Sequence, residues 1–108
     1  MDVELEIFSG RPNPRWTLAE PAAREVRRLQ RALPPASRRS AEPPGLGYRG
    51  FCYADAERRC RAWRGTVLTG DGTLDDPARS IERYLLDQLP PEFAMLRARV
   101  AAEIDQGQ

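Results

Sequence analysis

The stretch YRGFCYADAERRCRAWRGTVLT, residues 48–69, decides the fold that the sequence predicts. Two runs rich in aromatic and β-branched residues, YRGFCYA and CRAWRGTVLT, flank the polar segment DAERR, a pattern typical of an antiparallel β-hairpin. Side chains alternate along each strand, so we expect Phe51, Trp63 and Val67 to face the core. Gly65 within the second run indicates a bulge or a close approach of two backbones.

One further strand and three helices are predicted around this hairpin. Residues 2–8, DVELEIF, alternate between apolar and acidic side chains, which indicates a strand with one buried face. Apolar residues at helical spacing predict a first helix within 17–33, a second that begins at the cap Asp76, and a third that begins near Pro91. The proline-rich residues 34–47 predict a long surface loop.

The predicted element order is therefore β-α-β-β-α-α, which places the chain in the α+β class. The simplest arrangement is a small three-stranded, mainly antiparallel sheet, with helices packed on one face and the other face partly open. A chain of 108 residues has the size of one domain, which we expect to span residues 1–105, with residues 106–108 as a frayed tail.

The composition is that of a globular protein without a membrane span. Hydrophobic residues make up 41% of the chain and charged residues 31%, and no apolar run approaches the ~20 residues that cross a bilayer. The first residues, MDVELEIFSG, are acidic and alternating, unlike a signal peptide. All 17 basic residues are Arg, which together with abundant Ala and Pro indicates GC-rich codon usage. We expect a cytoplasmic, bacterial protein.

Histidine is absent from the chain. This absence excludes a Ser-His-Asp or Cys-His nucleophile pair and any imidazole metal ligand within it. Acid–base catalysis near neutral pH would need a carboxylate, Cys or Tyr instead. The spacing of Asp71, Asp75 and Asp76 matches no EF-hand, and turn formation and helix capping account for them. We therefore expect no metal site and no cofactor, and a binding protein is favoured over an enzyme.

The segment IFSGRPNPRW, residues 7–16, carries the first candidate site. Pro12 and Pro14 restrict the backbone and Asn13 can bond to it locally, so the loop loses little entropy when it presents its arginines to a ligand. Alternatively, the segment only connects a strand to a helix, with Trp16 in the core.

The topology decides which other residues join this loop. If residues 2–8 pair antiparallel to the hairpin strand that begins near Tyr48, the loop lies at the same end as GLGYRG and TGDGT; a parallel crossover would send it to the opposite end. Converging arginines would then suit a carboxylate or a phosphate. The candidate ligand- or partner-binding residues are Ser9, Arg11, Asn13, Arg15, Trp16, Tyr48, Arg49 and Asp71.

Cys52 and Cys60 form the second candidate site, a redox pair. If the hairpin centres on Ala56, the two thiols lie directly opposite one another on the face away from the core, where they can form a reversible disulfide. Two ligands without His make a poor zinc site. The alternative is a pair of reduced, unreactive thiols, which the cytosolic redox poise favours. A change of one residue in the hairpin register would separate the thiols.

Three functions follow from these sites. The leading prediction is a non-catalytic binding or accessory domain that recognises a partner protein, a peptide or a small anion through the SGRPNP loop and the neighbouring arginines. One alternative is a small cysteine-dependent redox or thiol enzyme, in which Arg lowers the pKa of a thiol. The other is a nucleic-acid-binding domain that uses RRLQRAL, SRRS and the aromatic residues near Tyr48, because residues 11–64 carry thirteen Arg against five acidic residues. The net charge of +1 makes nucleic acid the less favoured partner.

Overall fold

The computed structural model describes residues 1–36, 47–55 and 57–106. Most of the predicted 34–47 loop and the last two residues of the predicted 106–108 tail lie outside these ranges. The strands are β1 (Asp2–Leu5), β2 (Arg15–Thr17), β3 (Phe51–Asp55), β4 (Arg58–Trp63), β5 (Thr66–Thr69) and β6 (Gly72–Asp75). The helices are α1 (Glu20–Arg31), α2 (Ser80–Asp87), a 3-10 helix (Pro91–Leu96) and α3 (Arg97–Gln106).

The strands form one antiparallel sheet of six strands in the order β2-β1-β3-β4-β5-β6. The prediction of a small three-stranded sheet is therefore wrong, although the structure combines helices and an antiparallel sheet as the α+β class requires. Three of the six strands are not predicted from the sequence. β2 is short and directly follows the proline-rich loop, β5 is predicted as the end of a longer strand, and β6 is predicted as the segment that precedes a helix.

A tight reversal at Arg64-Gly65 divides the predicted long strand CRAWRGTVLT into β4 and β5. Arg64 has φ 51° and Gly65 has φ 79°, and left-handed geometry at both central residues is that of a two-residue hairpin turn. Trp63 and Thr66 pair across the turn, and the Thr66 hydroxyl donates a hydrogen bond to the Trp63 carbonyl at 2.9 Å. Gly65 thus belongs to a chain reversal and not to a bulge within one strand.

β6 returns from β5 through the turn at Gly70-Asp71 and occupies a segment that the sequence assigns to a loop. The second helix consequently begins at Ser80, later than predicted. Asp76 still satisfies the first N–H groups of this helix: its carboxylate accepts hydrogen bonds from the N–H and hydroxyl of Ser80 and from the Ile81 N–H, at 2.9–3.1 Å.

Helices cover one face of the sheet, and none of the described helices covers the opposite face, which is called the open face below. The core consists mainly of Val3, Leu5, Phe51, Tyr53, Ala62 and Val67 from the sheet and Val26, Ile81, Leu85, Val100 and Ile104 from the helices. Side chains that alternate with these in the strands, such as Glu4, Arg59 and Leu68, are partly or fully exposed. In the ranges that the structure covers, no helix has the length and apolar character needed to span a membrane.

The two edges of the sheet differ. Along β6, residues 34–36 run beside the strand: the Ala36 N–H donates to the Thr73 carbonyl at 2.9 Å, and the Asp75 N–H donates to the Pro34 carbonyl at 2.8 Å. Along the outer side of β2, none of the described residues is paired. One edge is therefore covered, whereas the other is open within the described part of the chain.

We expect Gly50→Ala to destabilise the fold by about 2 kcal/mol or more. Gly50 has φ 99°, and a Cβ atom there would lie 2.4 Å from the Ala62 carbonyl oxygen and 2.9 Å from the Trp63 Cβ. Both atoms belong to β4, so neither can move without disturbing its pairing with β3. Urea denaturation followed by tryptophan fluorescence measures the loss. Gly70→Ala is the matched control, because no atom lies within 4 Å of its Cβ position; a similar loss there would contradict the steric account.

Candidate functional site

Asn13 holds the two ends of the loop between β1 and β2 together. Its side-chain carbonyl accepts hydrogen bonds from the backbone N–H of Ile7 at 3.1 Å and of Phe8 at 2.7 Å. Its amide nitrogen donates to the Glu4 carboxylate at 3.0 Å. Asn13 therefore stiffens the loop from within, and its hydrogen-bonding groups are not directed at a ligand.

Arg49 braces the same loop from the start of β3. Its backbone N–H donates to the Glu6 carbonyl, and its guanidinium donates to the Phe8 carbonyl, both at 2.8 Å. The antiparallel pairing of β1 with β3, in which Leu5 lies opposite Phe51, brings these residues together. The structure thus places Arg49 beside the SGRPNP loop as the antiparallel alternative requires, but its guanidinium binds a backbone carbonyl of the loop.

The exposed tip of the loop is formed by residues 9–12. Gly10 has φ 81°, a left-handed conformation that turns the backbone between Ser9 and Arg11. The Arg11 guanidinium carbon lies 3.8 Å from the centre of the Phe8 ring, a cation–π contact that holds the side chain in place. Arg11 pairs with no carboxylate among the residues that the structure describes. Its charge is therefore available on a preorganised surface.

Asp71 lies at the opposite end of the sheet from this loop. The reversal at Arg64-Gly65 brings β5 back along β4, so the turn that contains Asp71 lies near the start of β4. There the Asp71 carboxylate meets the Arg58 guanidinium at 3.3 Å, and both side chains are exposed. The prediction that Asp71 lies beside the SGRPNP loop is wrong. It assumes one long strand where the structure has the two antiparallel strands β4 and β5.

Tyr48 is buried and belongs to the internal structure. Its hydroxyl donates to one oxygen of the Glu82 carboxylate at 2.5 Å, and the Gly65 N–H donates to the other oxygen at 3.2 Å. Burial and the adjacent carboxylate raise the pKa of Tyr48 far above its usual range, so the phenol stays protonated. No feature of the sequence predicts that Glu82 is buried, since a Glu in an amphipathic helix usually faces solvent.

Arg15 and Trp16 lie on opposite faces of β2. The Trp16 ring packs edge-on against Phe51 with ring centres 6.4 Å apart, so this side chain joins the core as the connector alternative expected. The Arg15 guanidinium lies 3.3 Å from the Glu4 carboxylate on the open face, and its side chain is 74% exposed. Of the two residues, only Arg15 is accessible to a partner.

The two cysteines do not face one another. Cys60 lies opposite Tyr53 and Cys52 lies opposite Arg61, so the hairpin register differs by one residue from the predicted one and the thiols point to opposite faces. On the open face, the Cys52 thiol donates to the Glu6 carboxylate at 3.4 Å, and Glu6 also pairs with Arg61. Burial is the main cause that raises the pKa of Cys52 to about 11, which disfavours the thiolate.

The arginines of α1 are partly paired within the helix. Arg27 meets Glu20 at 2.8 Å and Arg28 meets Glu25 at 2.6 Å. Such pairs reduce the positive field that a phosphate backbone would encounter. The SRRS segment of the nucleic-acid alternative lies outside the described residues. Within the described ranges, no group of three His, Cys, Asp or Glu side chains is close enough to hold a metal ion.

We expect Asn13→Ala to lower the free energy of unfolding by about 2 kcal/mol, because two partly buried N–H groups lose their acceptor. Amide hydrogen exchange at Ile7 and Phe8 should accelerate in this variant, while exchange in α2 stays unchanged under native conditions. Ser9→Ala is the matched control, since its side chain is exposed at the same loop. Unchanged exchange at both amides in Asn13→Ala would show that the loop is held by other contacts.

We expect Cys52 in the folded chain to react with iodoacetamide about a hundredfold more slowly at pH 8 than in the unfolded chain, because a rise in pKa from 9.0 to about 11 lowers the thiolate fraction accordingly. The measurement uses Cys60→Ala, which leaves one thiol. The folded chain holds the proton more tightly, so the Cys52 contribution to stability is lost as pH rises from 9.0 through about 11. Equal rates in both states would restore Cys52 as a candidate nucleophile.

Comparison with known proteins returns no match: no family model, no curated protein and no solved structure is significantly similar to this chain. A function for this chain is therefore inferred only from its own residues. Those that remain exposed at the candidate site are the loop tip with Arg11 and the outer edge of β2 with Arg15, whereas Asn13, Trp16, Tyr48 and Arg49 are engaged in the fold.

Proposed function

We propose that this protein is a non-catalytic, cytoplasmic binding or accessory domain that recognises an extended acidic segment of a partner protein. The segment pairs with the outer edge of β2 and places a carboxylate on the adjacent loop tip. The observation that carries this proposal is the open backbone of β2 beside two exposed guanidinium groups.

The backbone geometry of β2 favours the addition of a strand. The Leu5 N–H donates to the Pro14 carbonyl at 3.0 Å and the Leu18 N–H donates to the Met1 carbonyl at 2.8 Å, on either side of β2. Because hydrogen-bonding groups alternate in direction along a strand, Trp16 directs its backbone groups towards β1. The neighbouring residues on either side of Trp16 direct theirs outward. An extended peptide can bond to these groups in the manner of β-strand addition.

The charge beside this edge selects an acidic segment. Arg15 is exposed on β2, and its pairing with Glu4 at 3.3 Å is a surface contact of small energy that a peptide carboxylate can replace. Arg11 is held by the Phe8 ring a few residues before the strand. A peptide strand that continues past Pro14 extends towards the loop, where Arg11 is the exposed cation that its next acidic side chain would pair with.

The stiffness of the loop supports recognition over catalysis. Asn13 and Arg49 fix the loop backbone, so little conformational entropy is lost when a partner binds. The protonated state of the Cys52 thiol near neutral pH weighs against the alternative of a thiol enzyme at this face.

A peptide selection tests the proposal. Random peptides displayed on phage are selected on the folded protein, and the affinities of the enriched peptides are measured by fluorescence anisotropy. We expect enriched peptides to be acidic and extended, and to bind at least tenfold more weakly to Thr17→Pro, which removes an outward N–H of β2. Thr17→Val, which keeps this N–H, should bind normally.

The charge requirement has its own pair of variants. Arg11→Glu should weaken the selected peptides at least tenfold, whereas Arg24→Glu, an exposed change on α1, should leave their affinity unchanged. Enrichment of basic peptides, equal binding to Thr17→Pro and Thr17→Val, or no enrichment at all would overturn the proposal.

A further inference from the structure

The structure contains a second concave site, at the opposite end of the sheet from the loop tip. It is a pocket of about 490 Å³ between α1 and the ends of β3 to β6. Pockets of this size accommodate small organic ligands. The pocket shares no lining residue with the β2 edge or with residues 9–12, so a ligand there would not use the peptide site.

We propose that this pocket binds a small amphipathic carboxylate, an acid with an aliphatic or aromatic body. The apolar body lies against the pocket floor, and the carboxylate lies at a rim of hydrogen-bond donors.

The floor of the pocket is apolar. Val26 and Leu33, from α1 and the residues after it, face Tyr53 and Leu74 of the sheet across the cavity. Leu33 and Leu74 are only partly buried, so part of their apolar surface faces the cavity. A hydrocarbon body would cover this surface and gain free energy from its removal from water.

The polar groups of the pocket are mostly donors. The Tyr53 hydroxyl donates to the Gln30 side-chain carbonyl at 2.6 Å, which occupies the acceptor of that amide. Gln30 lines the pocket and is partly exposed, and its amide nitrogen donates to none of the described residues. A carboxylate ligand can accept a hydrogen bond from this nitrogen.

The rim carries more basic than acidic side chains. Arg27, which also pairs with Glu20, lines the pocket together with Arg31 and Arg58, and Asp71 is its only carboxylate among the described residues. Asp71 and Arg58 form an exposed pair at 3.3 Å, so these two charges offset one another. Arg31 is exposed and pairs with no carboxylate in the described ranges. A bound anion would meet Arg31 beside the Gln30 amide, one residue earlier on α1.

The Cys60 thiol provides a direct report on occupancy. Cys60 is half-buried and lines this pocket, whereas Cys52 lies on the other face of the sheet. In a Cys52→Ala background, a ligand that fills the cavity should slow the alkylation of Cys60.

The experiment titrates the full chain with decanoate, kept below the concentration at which it forms micelles, and with decanol as a neutral match, kept below its solubility limit. We expect decanoate to shift the NMR signals of Val26 and Leu74 and to slow Cys60 alkylation at least fivefold. Decanol should need at least a tenfold higher concentration for the same effect.

Two variants locate the carboxylate. Arg31→Ala and Gln30→Glu should each weaken decanoate at least tenfold, and Gln30→Glu retains an acceptor for the Tyr53 hydroxyl. Arg24→Ala, on the exposed side of α1, is the matched control. Equal binding of decanol and decanoate, unchanged affinity in Arg31→Ala, or no effect of decanoate on Cys60 would overturn the inference. None of these outcomes depends on the Thr17→Pro test at the other end of the sheet.

Discussion

The Glu82 carboxylate on α2 is the point at which three distant parts of the chain meet. It accepts hydrogen bonds from the Tyr48 hydroxyl and from the Gly65 N–H, and it is 1% exposed. A buried carboxylate is stable only when its oxygens are bonded, so the fold requires both donors to be in place. Tyr48 fixes the approach to β3, and Gly65 fixes the reversal between β4 and β5. The Gly65 carbonyl also accepts from the Asp76 N–H at 2.8 Å, which ties the reversal to the residues that cap α2.

The reversal at Gly65 places the two proposed sites at opposite ends of the sheet. The SGRPNP loop, the start of β3 and the reversal lie at one end, and the Gly70-Asp71 turn lies at the other. A single strand in place of β4 and β5 would have placed the turn with Asp71 at the same end of the sheet as the SGRPNP loop. Instead, each end has its own arginines and its own kind of surface: an open backbone edge at β2, and an apolar pocket beneath α1.

The sequence predicts the locally encoded parts of this fold. Alternation identifies β1, helical spacing identifies α1, and the polar DAERR segment identifies the β3–β4 hairpin. The turn at Arg64 is not predicted from the sequence, because a φ of 51° is unfavourable for a non-glycine residue. In the structure, contacts between residues distant in sequence stabilise this turn, such as the hydrogen bond from the Gly65 N–H to Glu82. The hairpin register is not predicted either, because a shift of one residue moves Cys60 to the other face of the sheet while the same segments remain strands. At the site, the sequence places Asn13 in the loop and Arg49 near it, but only the three-dimensional structure shows that both residues hold the loop in place.

The cover that residues 34–36 provide for β6 limits how far this sheet can grow. Ala36 and Pro34 bond to β6, and Pro35 between them carries no N–H that a further strand could use. Within the described chain, strands can therefore be added only beside β2. A protein with two open edges can polymerise without end, whereas one with a single open edge stops after one addition. If a segment pairs with β2 as proposed, the described sheet accepts one such segment, and two copies joined through β2 would form a pair whose described edges are both covered.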